Sequence, residues 1–197
     1  MRFSLGLTGS IGMGKSTTGR MFVDLGCELW DADAAVHRLY GPGGAAAEPL
    51  KRAFPTAVRD GMVDRTELKR IIAETCGALA QIEAIVHPLV AQDRAAFKAR
   101  ATADILVFDI PLLFETGGDA AMDAVACVTA PPEIQRRRVL ERGTMSREQF
   151  ELIKSKQMPD AEKRARSDFV IVTDSIDHAR EQVQDIVNQI RARQADA

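Results

Sequence analysis

The sequence is short of the features that mark several protein classes. Cysteine occurs three times, as Cys27, Cys76 and Cys127. The number is odd, the positions are scattered, and neither Cys-x-x-Cys nor a nearby histidine accompanies them, which argues against a disulfide framework or a zinc site. They read as reduced thiols of a cytoplasmic protein, mostly small core residues. No apolar run is long enough to span a bilayer, and the start, Met1-Arg2-Phe3-Ser4, leads into a short alternating segment rather than a signal sequence. An excess of one charge is missing too: 26 Lys and Arg face 28 Asp and Glu, a net charge of −2. A generic nucleic-acid binder is therefore disfavoured. No internal repeat is present, and no low-complexity segment beyond a tail after Arg191 that is expected to fray. Nothing points to a membrane or to an obligate protein partner. What is there is 197 residues, 46% apolar and 27% charged, enough for one domain with a substantial core.

Phe3, Leu5 and Leu7 alternate with Ser4 and Gly6, the period of a strand. A glycine-rich turn follows, then residues 15–25 read as a helix that Gly26 ends. Residues 27–30 form a short second strand, and residues 33–40 a helix broken by Gly41-Pro42-Gly43-Gly44. Residues 45–103 are alanine-rich and mostly helical, with Pro49, Pro55 and Pro88 as punctuation. Ile105-Leu106-Val107-Phe108, ending in Asp109, has the continuous apolar character of a buried parallel strand. Residues 124–128 and 169–172 supply a fourth and a fifth strand. Ile176, Ala179, Val183, Ile186, Val187 and Ile190 recur at helical spacing. Strands separated by helices predict an α/β fold, a parallel sheet flanked by helices. Two segments depart from simple alternation. One is the long helical insert between the second and third strands. The other, residues 133–166, carries ten Lys or Arg against six Asp or Glu, and that is where a polyanion is expected.

Gly9-Ser10-Ile11-Gly12-Met13-Gly14-Lys15-Ser16 matches G-x-x-x-x-G-K-[ST] in full, after a predicted strand and before a predicted helix. Its glycines let successive N–H groups point inward at phosphate oxygens, and the helix start adds its positive dipole end. Gly12, Met13, Gly14, Lys15, Ser16 and Thr17 are thus the candidate ATP ligands. Lys15 brings charge to the β- and γ-phosphates, Ser16 a hydroxyl for Mg²⁺, and Thr17 a hydroxyl near the α-phosphate. A chance glycine-rich turn has odds on the order of one per cent in a chain this long. A dinucleotide fold is a poorer match, because the third glycine of G-x-G-x-x-G is absent.

Further absences narrow the class. A guanine-specific switch carries Asn-Lys-x-Asp after a late strand, yet here Thr173-Asp174-Ser175 follows. A D-x-x-G switch is missing too, since Asp109 precedes Ile110-Pro111-Leu112. A small-molecule kinase leads, and a non-catalytic nucleotide-binding module explains neither the basic segment nor the following acids. Kinase chemistry needs positioning, charge neutralisation and a group to take the acceptor's proton. Asp31 and Asp33 follow the second strand at its carboxyl edge, and their spacing places them on one side of an extended chain. Asp33 is either that base or merely the N-cap of the helix that follows. Asp109 takes the metal-proximal position, ligating Mg²⁺ directly or through water, or else caps a turn. Arg138 and Arg142 share one face of a predicted helix, from which a guanidinium reaches the transferring phosphoryl; Arg136 and Arg137 suit a solvated face. His87, before Pro88, is expected between helical stretches, and a lone histidine is more often structural than catalytic.

With these residues assembled, the chain resembles the dephospho-CoA kinase family over nearly its whole length. The carrying segments are Gly6-Leu7-Thr8-Gly9 through Ser16, Asp31-Ala32-Asp33, Pro42-Gly43, Asp64-Arg65, His87-Pro88, residues 109–117 (Asp-Ile-Pro-Leu-Leu-Phe-Glu-Thr-Gly) and Gln157-Met158-Pro159. The phosphate loop is shared by many enzymes, whereas the run from Asp109, in order with Asp-Ala-Asp and His-Pro, is far more specific. The resemblance implies a five-stranded P-loop kinase core, residues 1–31, 104–131 and 167–197, in a single kinase domain. It implies a helical CoA-binding insert over about 32–103 and a lid over about 132–166. It implies Mg²⁺-dependent transfer from ATP to the ribose 3′-hydroxyl of dephospho-CoA. Asp33 then maps onto the catalytic base and Arg142 onto the lid arginine. His87 and Pro111, Leu112, Leu113, Phe114 and Glu115 map onto the acceptor side. The chain departs where relatives often have Arg-Asp and it has Arg142-Gly143, and where they carry Asn and Gly near Thr173-Asp174-Ser175. Another P-loop kinase, such as one acting on nucleoside monophosphates, is the alternative; it would not need the Pro-Leu-Leu-Phe-Glu run.

Overall fold

The computed structural model describes residues 2–195. The chain divides into two compact units, Met1–Trp30 with Ala101–Ala197, and Asp31–Arg100. The first unit is built on a five-stranded parallel sheet. Its strands are β1 (Phe3–Thr8), β2 (Glu28–Asp31), β5 (Ile105–Asp109), β6 (Ala124–Thr129) and β7 (Phe169–Val172), in the order β2-β5-β1-β6-β7. β1 lies at the centre because both of its faces are apolar enough to bury. Leu5 and Leu7 are fully buried, as are Ile105, Leu106, Val107 and Phe108 beside them, each removal from water contributing roughly 1.5–3 kcal/mol. The polar alternation of β1 does not expose a face: Ser4 is buried too, its N–H donating to Asp123 Oδ2 at 2.7 Å.

Among the described residues, the α-helices of this unit are α1 (Lys15–Asp24), α6 (Pro132–Glu141), α7 (Arg147–Lys156), α8 (Asp160–Ala165) and α9 (Ile176–Ala195). α9 buries Ala179, Val183, Ile186, Val187 and Ile190 of the predicted stripe in the core of the sheet, whereas Ile176, its first residue, is exposed. It also extends through the predicted frayed tail as far as Ala195, because regular helix continues past the apolar stripe. Met1 and the last two positions of that tail lie outside the described residues. Two of the three cysteines are core residues, as expected. Burial pushes the Cys27 thiol up to about 11 and the Cys127 thiol to about 12, so both stay protonated and inert. Cys76 is exposed.

The second unit contains α2 (Ala32–Tyr40), α3 (Ala47–Ala53), α4 (Arg65–Glu74) and α5 (Ala78–Arg100). A small antiparallel pair, β3 (Val58–Arg59) and β4 (Met62–Val63), turns through Asp60 and Gly61, both at positive φ. Leu39, Leu50, Leu68, Ile71, Ile82 and Val86 belong to its separate core. Pro88 does not break the chain here. It lies inside α5, a helix of 23 residues, where the buried positions Ile82, Val86 and Phe97 continue on both sides of it. Packing overrides a local cost of roughly 3 kcal/mol, and His87 is therefore an exposed mid-helix residue rather than part of a connection. Among the described residues, no helix is long and apolar enough to cross a membrane.

Candidate active site

The phosphate loop leaves the carboxyl end of β1. A side chain at Gly9 would meet the Val128 carbonyl oxygen at 2.5 Å, so close approach to β6 demands glycine there. Gly12 and Gly14 take φ values of 79 and 92, which curl the loop. Gly14 caps α1 and offers the first-turn N–H groups of that helix no side-chain acceptor of its own. Those donors, with the helix dipole behind them, are suited to an anion. Ser16 and Thr17 are exposed on this first turn. Met13 is buried: its sulfur accepts from Ala130 N at 3.1 Å and its carbonyl from the Thr173 hydroxyl at 2.7 Å. Its contribution to an anion site is consequently its backbone and not its side chain.

Asp109 ends β5 in register with Leu7 of β1, beside the start of the loop. Lys15 Nζ lies 2.5 Å from its Oδ1, with the carboxylate side chain 3% exposed and the lysine 15%. The pair neutralises a buried acid and holds a cation at the mouth of the loop. Asp109 and the Ser16 hydroxyl are hard oxygen donors, the type Mg²⁺ selects. No group of three or more His, Cys, Asp or Glu suited to a metal exists among the described residues.

Beyond Asp109 the chain stays tied to the sheet. Ile110 N donates to Leu7 O at 3.0 Å, and the Thr8 hydroxyl donates to Pro111 O at 3.1 Å. The run that follows divides in two. Leu113 and Phe114 are buried in a small cluster with Val125, whereas Leu112 is exposed. Glu115 accepts from Met158 N at 2.9 Å and pairs with Lys163 Nζ, also at 2.9 Å. Burial alone would raise the Glu115 carboxyl, but the bonds from Lys163 and the Met158 N–H outweigh it and hold the group below its ordinary value.

A cavity of about 350 Å³ opens beside the loop, lined by Gly14, Thr17, Arg138, Arg142, Thr173 and Ile176 among others. It reaches Thr173 and Ser175, just past the end of β7. Arg138 and Arg142 do not act as a matched pair. Arg138 donates to the Thr173 hydroxyl at 2.8 Å and to the Thr173 carbonyl at 2.6 Å, so its charge is committed to fastening α6 to the end of β7. Burial lowers its pKa, with the charges of Arg137 and Arg142 adding to the effect. Arg142 is the C-cap of α6 and is exposed at the cavity. Gly143 follows in the left-handed region, φ 63, its N–H closing on Leu140 O. Arg136 and Arg137 face solvent as expected.

Asp33 and His87 belong to the second unit, on α2 and α5, and both are exposed. The sequence had left Asp33 as a possible N-cap. The cap is instead Asp31, in extended geometry, whose Oδ1 accepts from Ala34 N at 2.9 Å. Because α2 begins at Ala32, the two acids do not lie on an extended chain, and Asp33 sits in the first turn without capping it. Several residues escaped sequence reading. Lys163 is fully buried, and nothing in a charge-rich helix signals that. Gln135, buried on α6, is equally silent. Gln157 stood within a family segment but carried no assigned role.

The comparisons with known proteins agree with this geometry. The family model described as CoaE, dephospho-CoA kinase, matches residues 3–178. The dephospho-CoA kinase of Ruegeria pomeroyi is 73% identical over 192 residues, covering 98% of each chain. The crystal structure of TT1252 from Thermus thermophilus aligns with a TM-score of 0.86 and 34% identity, over 95% of this chain and 97% of that one. Dephospho-CoA kinase from Campylobacter jejuni, at 22% identity, shares the fold with a TM-score of 0.64 over 96% of this chain and 97% of its own. The chain belongs to the dephospho-CoA kinase family.

Proposed function

We propose that the protein transfers the γ-phosphoryl group of ATP to the ribose 3′-hydroxyl of dephospho-CoA, giving CoA and ADP, the last step of CoA formation. Family membership supports the reaction, and one observation carries the assignment of its site. Lys15 and Asp109 are paired at the carboxyl edge of the sheet, beside a helix start whose N-cap, Gly14, supplies no side-chain cap. Triphosphate bound on that helix start offers Lys15 a second, denser set of anionic oxygens. Lys15 then compensates the β- and γ-phosphates, and the loop N–H groups hold the γ-phosphorus in place. Ser16 and Asp109 would hold Mg²⁺, which when bound with ATP supplies further neutralisation of phosphate charge.

The acceptor half of the reaction rests on the family pattern. Asp33 accepts the proton of the 3′-hydroxyl as its oxygen bonds to the γ-phosphorus, while the bond to the β–γ bridging oxygen breaks and ADP leaves. Arg142, exposed at the cavity, stabilises charge on the transferring group. The cavity lined by Thr173 and Ile176 receives the adenine of ATP. Leu112 is the apolar contact for the acceptor, with Pro111, Leu113, Phe114 and Glu115 shaping the wall behind it. His87, in the Asp31–Arg100 unit, is an acceptor-binding residue, and residues 132–166 act as the lid.

Incubation with ATP and Mg²⁺, with dephospho-CoA and separately with nucleoside monophosphates, tests this reading by product mass. Dephospho-CoA is expected to gain one phosphate. Phosphorylation of the monophosphates alone would overturn the assignment.

A further inference from the structure

Ile11 lies in the middle of the phosphate loop, and side chains from outside the loop hold both of its backbone polar groups. Its N–H donates to Gln157 Oε1 at 3.0 Å. Its carbonyl accepts from Gln135 Nε2 at 2.7 Å. Gln135 is 1% exposed inside α6, so its amide has a fixed aim. Gln157 is half-buried at the junction of α7 and α8, in extended geometry. Its neighbour makes the junction rigid. Met158 N donates to Glu115 Oε1, and Met158 packs on the cluster of Leu113, Phe114 and Val125. Glu115 is in turn held by the buried Lys163, which also donates to Pro111 O at 2.9 Å. Two consecutive residues, Gln157 and Met158, therefore touch the phosphate loop with a side chain and the 111–115 run with a backbone N–H.

We propose that Gln157 is a positioning residue for phosphoryl transfer, setting the curl of the phosphate loop by holding the Ile11 peptide. The proposal rests on the reading of residues 9–16 as the ATP site. A surface glutamine whose only task was to end α7 would need no acceptor aimed at a loop 146 residues away in sequence. The Gln157 amide oxygen fixes the Ser10–Ile11 peptide plane, next to the Ile11–Gly12 plane that Gln135 holds through the Ile11 carbonyl and that carries the Gly12 N–H of the anion-binding set. Without it, the Ile11 N–H turns to water, and the loop orders itself only when ATP arrives. That ordering is then drawn from the binding of ATP and not from the binding of the acceptor.

The test compares the wild-type protein with Gln157→Ala and Gln157→Met, the second keeping side-chain bulk while removing the amide acceptor. Steady-state kinetics, with ATP and dephospho-CoA varied in turn, are read beside thermal melting without nucleotide. For both variants the KM for ATP is expected to rise about fivefold, the scale of one net hydrogen bond. The KM for dephospho-CoA and the melting temperature should stay at the wild-type values. Wild-type ATP kinetics in Gln157→Met would reduce the residue to packing and overturn the proposal. Equal rises in both KM values with a lowered melting temperature would also overturn it. Should the wild-type protein itself fail to phosphorylate dephospho-CoA, the reading of the site falls instead.

Discussion

Two lysines of the first unit are each paired with a carboxylate at the same edge of the sheet, and the burial of the pairs is reversed. In one pair Asp109 is 3% exposed and Lys15 is 15% exposed. In the other Lys163 is fully buried and Glu115 is 19% exposed. Lys15 stands on a glycine loop at the open start of a helix, where an incoming anion can compete for it. Lys163 has its ammonium on both Glu115 oxygens and on the Pro111 carbonyl, so all three donors are spent on the scaffold. On the proposed reading, the same ion-pair chemistry serves transfer in one place and architecture in the other. What separates the two is which partner keeps a route to water and how many bonds would have to break.

Substitutions can break this contrast. Lys15→Ala is expected to lower turnover by roughly 10³-fold or more, through lost compensation of β- and γ-phosphate charge. Steady-state assay of protein shown to be folded by circular dichroism checks it. Asp33→Asn carries the test to the other unit, with kcat lowered by roughly 10²-fold or more and ATP affinity little changed. Wild-type turnover there would leave Asp33 without a catalytic role. Lys163→Met should act on stability. Leaving Glu115 without its buried partner costs about 3 kcal/mol, the lower end for a broken buried pair, because Glu115 keeps some solvent. Denaturant unfolding measures this, and the KM for ATP should move far less than stability does.

The smallest effect concerns acid. The Glu115 carboxyl is held below its ordinary value of 4.5 in the folded protein. Its contribution to stability is therefore fully present above that value and disappears as pH falls through the folded pKa. Melting temperature should drop below about pH 4.5, and the drop should be shallower in Glu115→Gln. An unchanged acid limb would show that the pair with Lys163 does not act through the charge of Glu115.

The contrast between the lysines also marks what the sequence could convey. The phosphate loop was legible because its chemistry is local: eight consecutive residues between a strand and a helix specify a cradle. Asp109 was legible because a continuous apolar strand ended in a single acid. The strand ending at Asp109 is legible as a buried parallel strand because such strands are apolar on both faces, whereas β1 is legible from the alternation of Phe3, Leu5 and Leu7. Lys163 was not legible. Its burial depends on Glu115, 48 residues earlier in the chain, and a lysine in a basic segment looks solvated. Arg138 misled for the same reason, because its partner Thr173 is 35 residues away. Pro88 misled in the other direction, as a local breaker signal that an apolar stripe overrode. Asp31 and Asp33 show the limit most closely: both acids stood near one helix start, and only the backbone geometry assigns the cap to Asp31.

The most direct test is to locate the phosphate on the product. After reaction of ATP and dephospho-CoA with Mg²⁺, ³¹P NMR should show a new monoester on the ribose 3′ carbon, with one ADP formed for each CoA. A phosphate at any other position, or ADP formed without transfer to dephospho-CoA, would contradict the account.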